Sequence, residues 1–336
     1  MQNILDKTLQ ELEKELKPSY RAKQVFTWLH KKLTFDFDAM SDLSKELRSQ
    51  LKEKYYAKIP AVKQTAASRD GTQKYLLELE DGHKIESVLL MDQTERKTVC
   101  VSIQAGCPLA CAFCATGGMG FKRNLRVSEI LGQVYRIAEE NADISNLVFM
   151  GMGEPFLNYD NVMKAINILT SKEGPNFGQR KITVSTCGIP ENIKRFADEK
   201  LQLRLAVSLN AADDQTRSKL MPINKKHPIG QVMDAVRYYI RNTGRRVTIE
   251  YVMLDGINDR KADLKNLITL LKGLTVNVNL IPMNPFGRQF KPSPLATVER
   301  FQKILLAEKI NAVIRKSRGE DILAACGQLA GKPPPN

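Results

Sequence analysis

Three cysteines lie within eight consecutive residues. Cys107, Cys111 and Cys114 belong to the stretch Gly-Cys-Pro-Leu-Ala-Cys-Ala-Phe-Cys and have the spacing C-x3-C-x2-C. Thiolates are the usual ligands of iron–sulfur clusters, and a loop this short can surround one cubane. A structural zinc site is the alternative, but such sites are normally closed by four ligands. The spacing therefore predicts a [4Fe-4S] cluster with one iron left open to a chelating amino acid.

The elements that would position this loop alternate regularly after residue 96. Short apolar runs predict strands at 97–104, 146–151, 181–186, 203–209, 246–253 and 276–281, separated by helices at 128–141, 159–171, 190–199, 229–242 and 261–272. Strands joined through helices imply right-handed crossovers and a parallel sheet. Six units are fewer than the eight of a closed barrel. The prediction is an α/β fold with a partial (β/α)6 barrel over residues 96–310.

Smaller regions flank this barrel. Apolar residues recur at helical spacing within residues 1–60, which predicts an N-terminal helical accessory domain. Residues 61–95 alternate with a period of two, and Asp81-Gly82 is typical of the two left-handed positions of a tight hairpin turn. This β segment links the helices to the barrel. Residues 311–336 form a C-terminal region.

Composition indicates a folded, basic protein. The chain has 336 residues, 43% of them hydrophobic, and 51 lysines and arginines against 37 acidic residues. A net charge of +14 favours polyanionic partners, with nucleic acid as the leading candidate. No apolar run is long enough for a membrane span, and the first residues do not resemble a signal peptide. We expect a cytoplasmic monomer without a membrane partner.

Polar residues follow several of the predicted strands. Side chains at the carboxyl ends of parallel strands meet at one mouth, where barrel active sites gather. A glycine lets the backbone approach a ligand closely, and a carboxylate can accept hydrogen bonds from an ammonium group. The candidates for ligand binding are Gly153, Glu154, Ser185, Ser208, Leu209, Asn210 and Asn284.

The cysteine loop resembles the signature of radical S-adenosylmethionine enzymes. Within that superfamily the chain is similar to the RlmN family of RNA adenosine C2-methyltransferases over nearly its whole length. The similarity is carried by residues 100–107, 124–130, 150–155, 221–225, 279–282, 284–285 and 318–329. The antibiotic-resistance family Cfr, which methylates C8 of adenosine, shares the cysteines, but Pro155, Pro282 and residues 315–319 look more like the C2 enzymes.

This resemblance implies a role for each candidate residue. Cys107, Cys111 and Cys114 would hold the cluster, whose open iron binds S-adenosylmethionine. Gly153 and Glu154 would hold the cofactor's amino group. Ser185, Ser208, Leu209 and Asn210 would contact its carboxylate and ribose, and Asn284 its adenine or ribose. The family commonly has histidine at the position of Asn210.

Three further residues would carry out the transfer. The resemblance implies that Cys326 takes a methyl group from one S-adenosylmethionine, and that a second is cleaved to a radical that activates this S-methyl group for addition to C2. Two cofactor molecules are then consumed per methylation. Glu86 would remove the C2 proton, and Cys100 would release the product by forming a transient disulfide with Cys326. Cys187 is assigned to packing.

The implied substrates are 23S rRNA, at the adenosine of the peptidyl-transferase centre, and tRNA, at the adenosine next to the anticodon. A small flavodoxin or ferredoxin would donate electrons. The N-terminal helices and basic residues such as Lys122 and Arg123 would contact RNA. An RNA-binding module with a merely structural cluster is the alternative from another functional class, although the open iron, Cys326 and Glu86 argue against it.

Overall fold

The computed structural model describes residues 1–92, 94–285 and 290–331. Its N-terminal region consists mainly of short helices. Its elements are β1 (Gln2–Asn3), α1 (Leu9–Glu15), α2 (Ser19–His30), α3 (Lys45–Lys54) and β2 (Tyr55–Tyr56). A capping box between Thr8 and Glu11 begins α1, and the Ser44 hydroxyl caps α3. The predicted helical accessory region is therefore present.

An antiparallel ladder follows these helices. It contains β3 (Ala61–Ala67), β4 (Gln73–Glu78), β5 (Lys84–Met91) and β6 (Lys97–Cys100). The turn between β4 and β5 has one left-handed residue, Gly82, with a φ of 81°. The prediction that Asp81 shares this conformation is wrong, because the Gly82 N–H closes a turn onto Leu79 and a single left-handed residue then returns the chain to β5.

The strand predicted at 97–104 is interrupted. After β6 the chain leaves the sheet and forms β7 (Gln104–Gly106), which pairs antiparallel with β8 (Phe121–Asn124) across the short helix α4 (Ala115–Gly118). At the break, the backbone N–H and C=O of Ser102 bond to the Gln133 side chain instead of to a neighbouring strand. The cysteine loop connects β7 to α4, so it begins from a separate two-stranded sheet and not from the sheet that contains β6.

The remaining strands are parallel and alternate with helices. They are β9 (Ile144–Phe149), β10 (Ile182–Thr186), β11 (Arg204–Ser208), β12 (Val247–Met253), β13 (Val276–Pro282) and β14 (Asn311–Ile314). The helices are α5 (Val127–Glu140), α6 (Tyr159–Thr170), α7 (Pro190–Asp198), α8 (Asp214–Leu220), α9 (Ile229–Thr243), α10 (Lys261–Leu271) and α11 (Leu295–Ala307). All six predicted strand positions contain a strand.

These strands form one sheet of ten in the order β14-β13-β12-β11-β10-β9-β6-β5-β4-β3. Strands β6 and β9 to β14 pair in parallel, and β3 to β6 pair antiparallel. The sheet does not close, which agrees with a partial barrel. It also extends beyond the predicted six strands: β14 and α11 add a unit, and β14 lies in the predicted C-terminal region.

One hydrophobic core joins the N-terminal helices to the barrel. His30 of α2 hydrogen-bonds through Nδ1 to the Tyr135 hydroxyl of α5 at 2.7 Å, and both residues are buried. The Asp6 carboxylate accepts the Ser128 N–H at the start of α5, at 2.7 Å. The accessory helices are thus packed against the barrel. Among the described residues, none of the helices has the length and apolar character of a membrane span.

Candidate active site

The loop with Cys107, Cys111 and Cys114 requires a glycine where it begins. Gly106 has a φ of 76°, and a Cβ at this position would lie 1.8 Å from the carbonyl oxygen of Gly120. Backbone hydrogen bonds fix the loop: the Cys107 N–H donates to Gly120 and the Cys114 N–H to Cys111, each at 3.1 Å. The three thiols are thereby gathered at the mouth of the partial barrel.

These thiols line a cavity of about 160 Å³, which we call the cluster cavity. Burial raises the pKa of Cys107 to about 12 and also raises that of Cys114. Bound iron would reverse this effect, because a coordinating thiol loses its proton. Within the described ranges, no three histidine, cysteine or acidic side chains converge on a point suited to one metal ion. Three thiols on one short loop are a donor set suited to an iron–sulfur cubane, in which each thiol binds a different iron.

Gly153 and Glu154 line the same cavity after β9. Gly153 has a φ of 99°, and a Cβ there would lie 2.5 Å from the Gln104 side chain. The Glu154 carboxylate is buried and accepts the N–H groups of Phe156 at 3.0 Å and Cys187 at 2.7 Å. Burial raises its pKa, whereas these donors favour the ionised form. A buried carboxylate with backbone donors on both oxygens can still attract a ligand's ammonium group.

Ser185, Ser208, Asn210 and Asn284 also line the cluster cavity, as the sequence predicts. Leu209 is not among the lining residues: its side chain is fully buried, its backbone N–H donates to the Glu250 carbonyl, and its own carbonyl accepts a hydrogen bond from Arg217. The Asn210 amide already has protein partners, since its oxygen accepts the Val252 N–H at 2.9 Å. Any cofactor contact of Asn210 must therefore use its remaining hydrogen-bonding capacity.

Two buried oxygens facing this cavity have no hydrogen-bond partner among the described residues: Asn284 Oδ1 and Glu250 Oε2. Unsatisfied buried oxygens are costly, and ligand hydroxyl or amino groups would satisfy them. The cavity therefore fits a polar cofactor beside the cluster loop. Sequence reasoning missed Glu250, although a carboxylate in the middle of an apolar barrel strand is itself a signal of function.

That Cys187 lies at the candidate site was also not predicted from the sequence. It lines the cluster cavity and packs with Cys111 against the cluster of buried residues around Met221. Cys187 packs against these residues, as predicted, but its position beside the cysteine loop was not foreseen. The signal in the sequence was its place at the carboxyl end of a strand, where Ser185 and Ser208 also lie.

A second cavity of about 360 Å³ adjoins the first, and we call it the thiol cavity. Cys100 and Cys326 both line it, and Cys326, Asn284 and Arg315 line both cavities. Cys100 is buried on β6, whereas Cys326 is exposed. Burial raises the pKa of Cys100 to about 12; the neighbouring Cys326 thiol adds to this, and Arg315 opposes it. Cys100 and Cys326, for which the resemblance implies a transient disulfide, therefore line the same cavity.

Cys326 belongs to a C-terminal segment, residues 323–331, that crosses the site. Three of its carbonyl groups accept hydrogen bonds from the α4 region and from Asn284: Gly327 from the Ala115 N–H at 2.7 Å, Leu329 from the Thr116 hydroxyl at 2.6 Å, and Cys326 from the Asn284 amide at 3.0 Å. The segment therefore rests on α4, directly after the cysteine loop.

Glu86 lies beneath this segment and lines neither cavity. It is fully buried, pairs with Lys74 at 3.0 Å, and accepts the N–H groups of Ala330 and Gly331 at 2.7 and 3.1 Å. On the sheet, Glu86 lies two residues before Val88, and Val88 pairs with Cys100. Glu86 and Cys100 therefore share one face of the sheet.

The basic residues proposed for RNA contact differ in their surroundings. Arg123 is engaged by Asp81 and, through two bonds of 2.7 and 2.8 Å, by Glu129. It therefore mainly fixes the β4–β5 turn to α5. Lys122 is exposed.

The chain matches two family models. Residues 101–268 match the radical SAM superfamily, and residues 2–57 match the ribosomal RNA large subunit methyltransferase N-terminal domain. It is 48% identical to a probable dual-specificity RNA methyltransferase RlmN from Dictyoglomus turgidum, over 98% of this chain and 97% of that protein. The chain belongs to the RlmN family.

Other members agree with this assignment. A protein of the same description from Thermotoga maritima is 46% identical over 98% of this chain and 97% of its own length. A crystal structure of a radical SAM methyltransferase from Sphaerobacter thermophilus superposes with a TM-score of 0.93 at 45% identity, covering 99% of this chain and 100% of that one. The predicted family and α/β radical SAM fold are confirmed, and the chain is a radical SAM RNA methyltransferase of the RlmN family.

Proposed function

We propose that this protein methylates C2 of adenosine in RNA and that the methyl group passes through Cys326. The observation that carries the proposal is the pair of adjoining cavities: Cys326 lines both, together with Cys114 of the cysteine loop. Cys107 and Cys111 line only the cluster cavity, and Cys100 lines only the thiol cavity. A methyl carrier needs access to a methyl donor and then to an acceptor. Cys326 lies where both needs can be met.

Membership of the radical SAM superfamily implies a [4Fe-4S] cluster and S-adenosylmethionine. We assign the cluster to Cys107, Cys111 and Cys114, one per chain. Gly153 and Glu154 would hold the amino group of S-adenosylmethionine, and Ser185, Ser208, Asn210 and Asn284, which line the cluster cavity, its remaining polar groups. When bound, cluster and cofactor together supply a carbon radical able to remove a hydrogen atom from an unactivated methyl group.

Cys326 and Cys100 act in sequence in this proposal. The Cys326 sulfur attacks the methyl carbon of one S-adenosylmethionine, forms the new S–C bond and releases S-adenosylhomocysteine. After the activated S-methyl carbon has bonded to adenosine, Cys326 is attached to the RNA. The Cys100 thiol then gives up its proton and bonds to the Cys326 sulfur as the S–C bond to the RNA breaks. The carbon keeps the electron pair of that bond and takes up a proton to become the product methyl group, and the two cysteines are left as a disulfide. Burial of Cys100 protects this thiol until the cavity opens.

Glu86 is the proposed proton acceptor. Its Oε2 would take the proton from C2 of the attached adenosine and become a neutral carboxylic acid, while the electrons of the C–H bond stay with the adenine. The adduct, which forms from a radical, must also lose one electron, which would be taken up by the cluster. Its position on the same sheet face as Cys100 supports this role. Because Ala330 and Gly331 cover Oε2 in this structure, the C-terminal segment must move first.

The proposed substrates are 23S rRNA, at the adenosine of the peptidyl-transferase centre, and tRNA, at the adenosine next to the anticodon. The N-terminal family model, the dual specificity named for the relatives and the net charge of +14 support this assignment. A small flavodoxin or ferredoxin would deliver the electrons, and two molecules of S-adenosylmethionine would be used per methylation.

Methylation in vitro with purified protein tests the proposal. The wild type should convert adenosine to 2-methyladenosine in rRNA and tRNA transcripts, Cys326→Ala should produce none, and Cys100→Ala should accumulate a covalent protein–RNA adduct. Chromatography of the nucleosides distinguishes 2-methyladenosine from 8-methyladenosine, which would instead support the Cfr-type reaction. A protein that never forms 5′-deoxyadenosine under reducing conditions would support an RNA-binding module with a structural cluster.

A further inference from the structure

Lys74 is a buried lysine that the reaction described above does not use. Its side chain is 4% exposed, and its ammonium group lies 3.0 Å from Oε1 of Glu86, which is equally hidden from solvent. It also donates to the carbonyl oxygen of Leu323, at 3.3 Å. Buried lysines are rare unless their charge is paired. The burial of Lys74 is therefore to be understood from its contacts with Glu86 and with the C-terminal segment.

The sheet fixes where Lys74 lies. In the β4–β5 ladder, Leu76 pairs with Glu86 and Lys74 pairs with Val88. Lys74 and Glu86 are thus diagonal neighbours on one face, within reach of a long side chain. Since Val88 in turn pairs with Cys100, the ammonium, the carboxylate and the thiol occupy one face of three adjacent strands.

The two oxygens of Glu86 have different partners. Oε1 faces Lys74, which belongs to the sheet, whereas Oε2 accepts the N–H groups of Ala330 and Gly331, which belong to the C-terminal segment. Departure of residues 330–331 would free Oε2 and leave the ion pair at Oε1 intact. The carboxylate would then keep its orientation, with one oxygen available to accept a proton.

We propose that Lys74 is the positioning residue of Glu86: it holds Oε1 through the ion pair so that Oε2 can exchange its C-terminal backbone donors for the proton of C2. The contact between Lys74 and Leu323 places the same ammonium group at the start of the segment that must move. This inference rests on the proposed function, in which Glu86 is the proton acceptor. Lys74 itself does not touch the reacting atoms.

The test compares Lys74→Met, Lys74→Arg and the control Lys63→Met in single-turnover reactions with a transcript of the rRNA region. Lys63 forms an exposed ion pair with Glu78 at 2.8 Å between β3 and β4, so its loss removes a lysine of the same sheet that is paired with a different carboxylate. Three quantities are measured: S-methylation of Cys326 by mass spectrometry of the protein, covalent protein–RNA adduct, and released 2-methyladenosine.

Proton transfer to a positioned side chain contributes roughly a hundredfold or more to rate. Lys74→Met leaves the Glu86 carboxylate without its ion pair, so product release should slow about tenfold while the adduct accumulates. Cys326 methylation should stay within about twofold of wild type because it precedes this step. Lys74→Arg should restore most of the release, and Lys63→Met should match wild type. A merely structural role would instead lower Cys326 methylation and product together, without adduct.

The outcomes separate this inference from the proposed function. If the wild type makes no 2-methyladenosine, the proposed function fails. If the wild type is active and Lys74→Met releases product as fast as Lys63→Met, or loses Cys326 methylation with no adduct, the role of Lys74 is refuted. Should Lys74→Met not fold, Lys74→Gln takes its place in the same comparison, and Lys74→Arg still reports whether a cation at this position sustains release.

Discussion

Replacing Gly106 by alanine should prevent cluster binding without unfolding the protein. Gly106 combines a left-handed φ of 76° with a position where a Cβ would lie 1.8 Å from a backbone oxygen, that of Gly120. The left-handed conformation costs a non-glycine residue about 1–2 kcal/mol. Overpacking adds about 1–3 kcal/mol, which the short β7–β8 pair can relieve by separating. The cysteine loop begins at this pair and would lose its geometry.

Two glycines provide matched controls. Gly82 has a similar φ of 81°, but a Cβ at this position would have no atom within 4 Å, so Gly82→Ala should cost only about 1–2 kcal/mol. Gly118 lies in α4, next to the cysteine loop, and also has open space, with no left-handed φ. Gly118→Ala should leave stability and cluster binding close to wild type.

The assay measures iron content and cluster absorption after reconstitution, with urea unfolding of the apoproteins beside it. Gly106→Ala should be the least stable of the three, by about 1–3 kcal/mol relative to Gly82→Ala, and should retain little iron. Full cluster loading of Gly106→Ala would contradict the reasoning. So would equal iron loss in Gly82→Ala, since that variant lacks the steric overlap.

Three further outcomes follow from the site. Because burial raises the pKa of Cys100 to about 12, its thiolate population at neutral pH is about a thousandfold below that of an ordinary thiol. Alkylation followed by mass spectrometry should therefore show that Cys100 reacts slowly at neutral pH and faster as the pH rises to about 12. Rapid labelling of Cys100 at pH 7 would contradict this. Glu154→Gln places an amide donor against a backbone donor and should cost about 1–3 kcal/mol while weakening S-adenosylmethionine binding in calorimetry; unchanged affinity would exclude Glu154 from the cofactor site. Asn284→Ala removes the 3.0 Å bond to the Cys326 carbonyl and should speed amide hydrogen exchange around Cys326, whereas unchanged exchange would show that this bond does not hold the segment.

The sequence predicted best those features that depend on local patterns. The spacing of the cysteine loop and the alternation of apolar runs with helices are both readable over a few residues, and each predicted strand position contains a strand. Polar residues at strand ends converge because parallel strands share one edge. Ser185, Ser208 and Asn284 were located in this way.

Features that depend on distant contacts were missed. The pairing of Glu86 with Lys74 and with Ala330 joins residues up to 244 positions apart in the chain. The strand β14 has only four residues and is recognised through its pairing with β13. The sequence also did not predict the carboxylate partners of Arg123, which come from the β4–β5 turn and from α5. Periodic patterns in a sequence indicate local structure and do not identify contacts between residues that are far apart in the chain.

The route of the methyl group is the central claim, and an isotope measurement tests it most directly. The protein is incubated with rRNA transcript and S-adenosylmethionine whose methyl group carries three deuterium atoms, and the 2-methyladenosine is analysed by mass spectrometry. Transfer through Cys326 removes one deuterium before the carbon bonds to adenosine, so the product methyl should carry two deuterium atoms and 5′-deoxyadenosine should carry one. A product that keeps all three deuterium atoms, or that forms equally well with Cys326→Ala, would contradict the account.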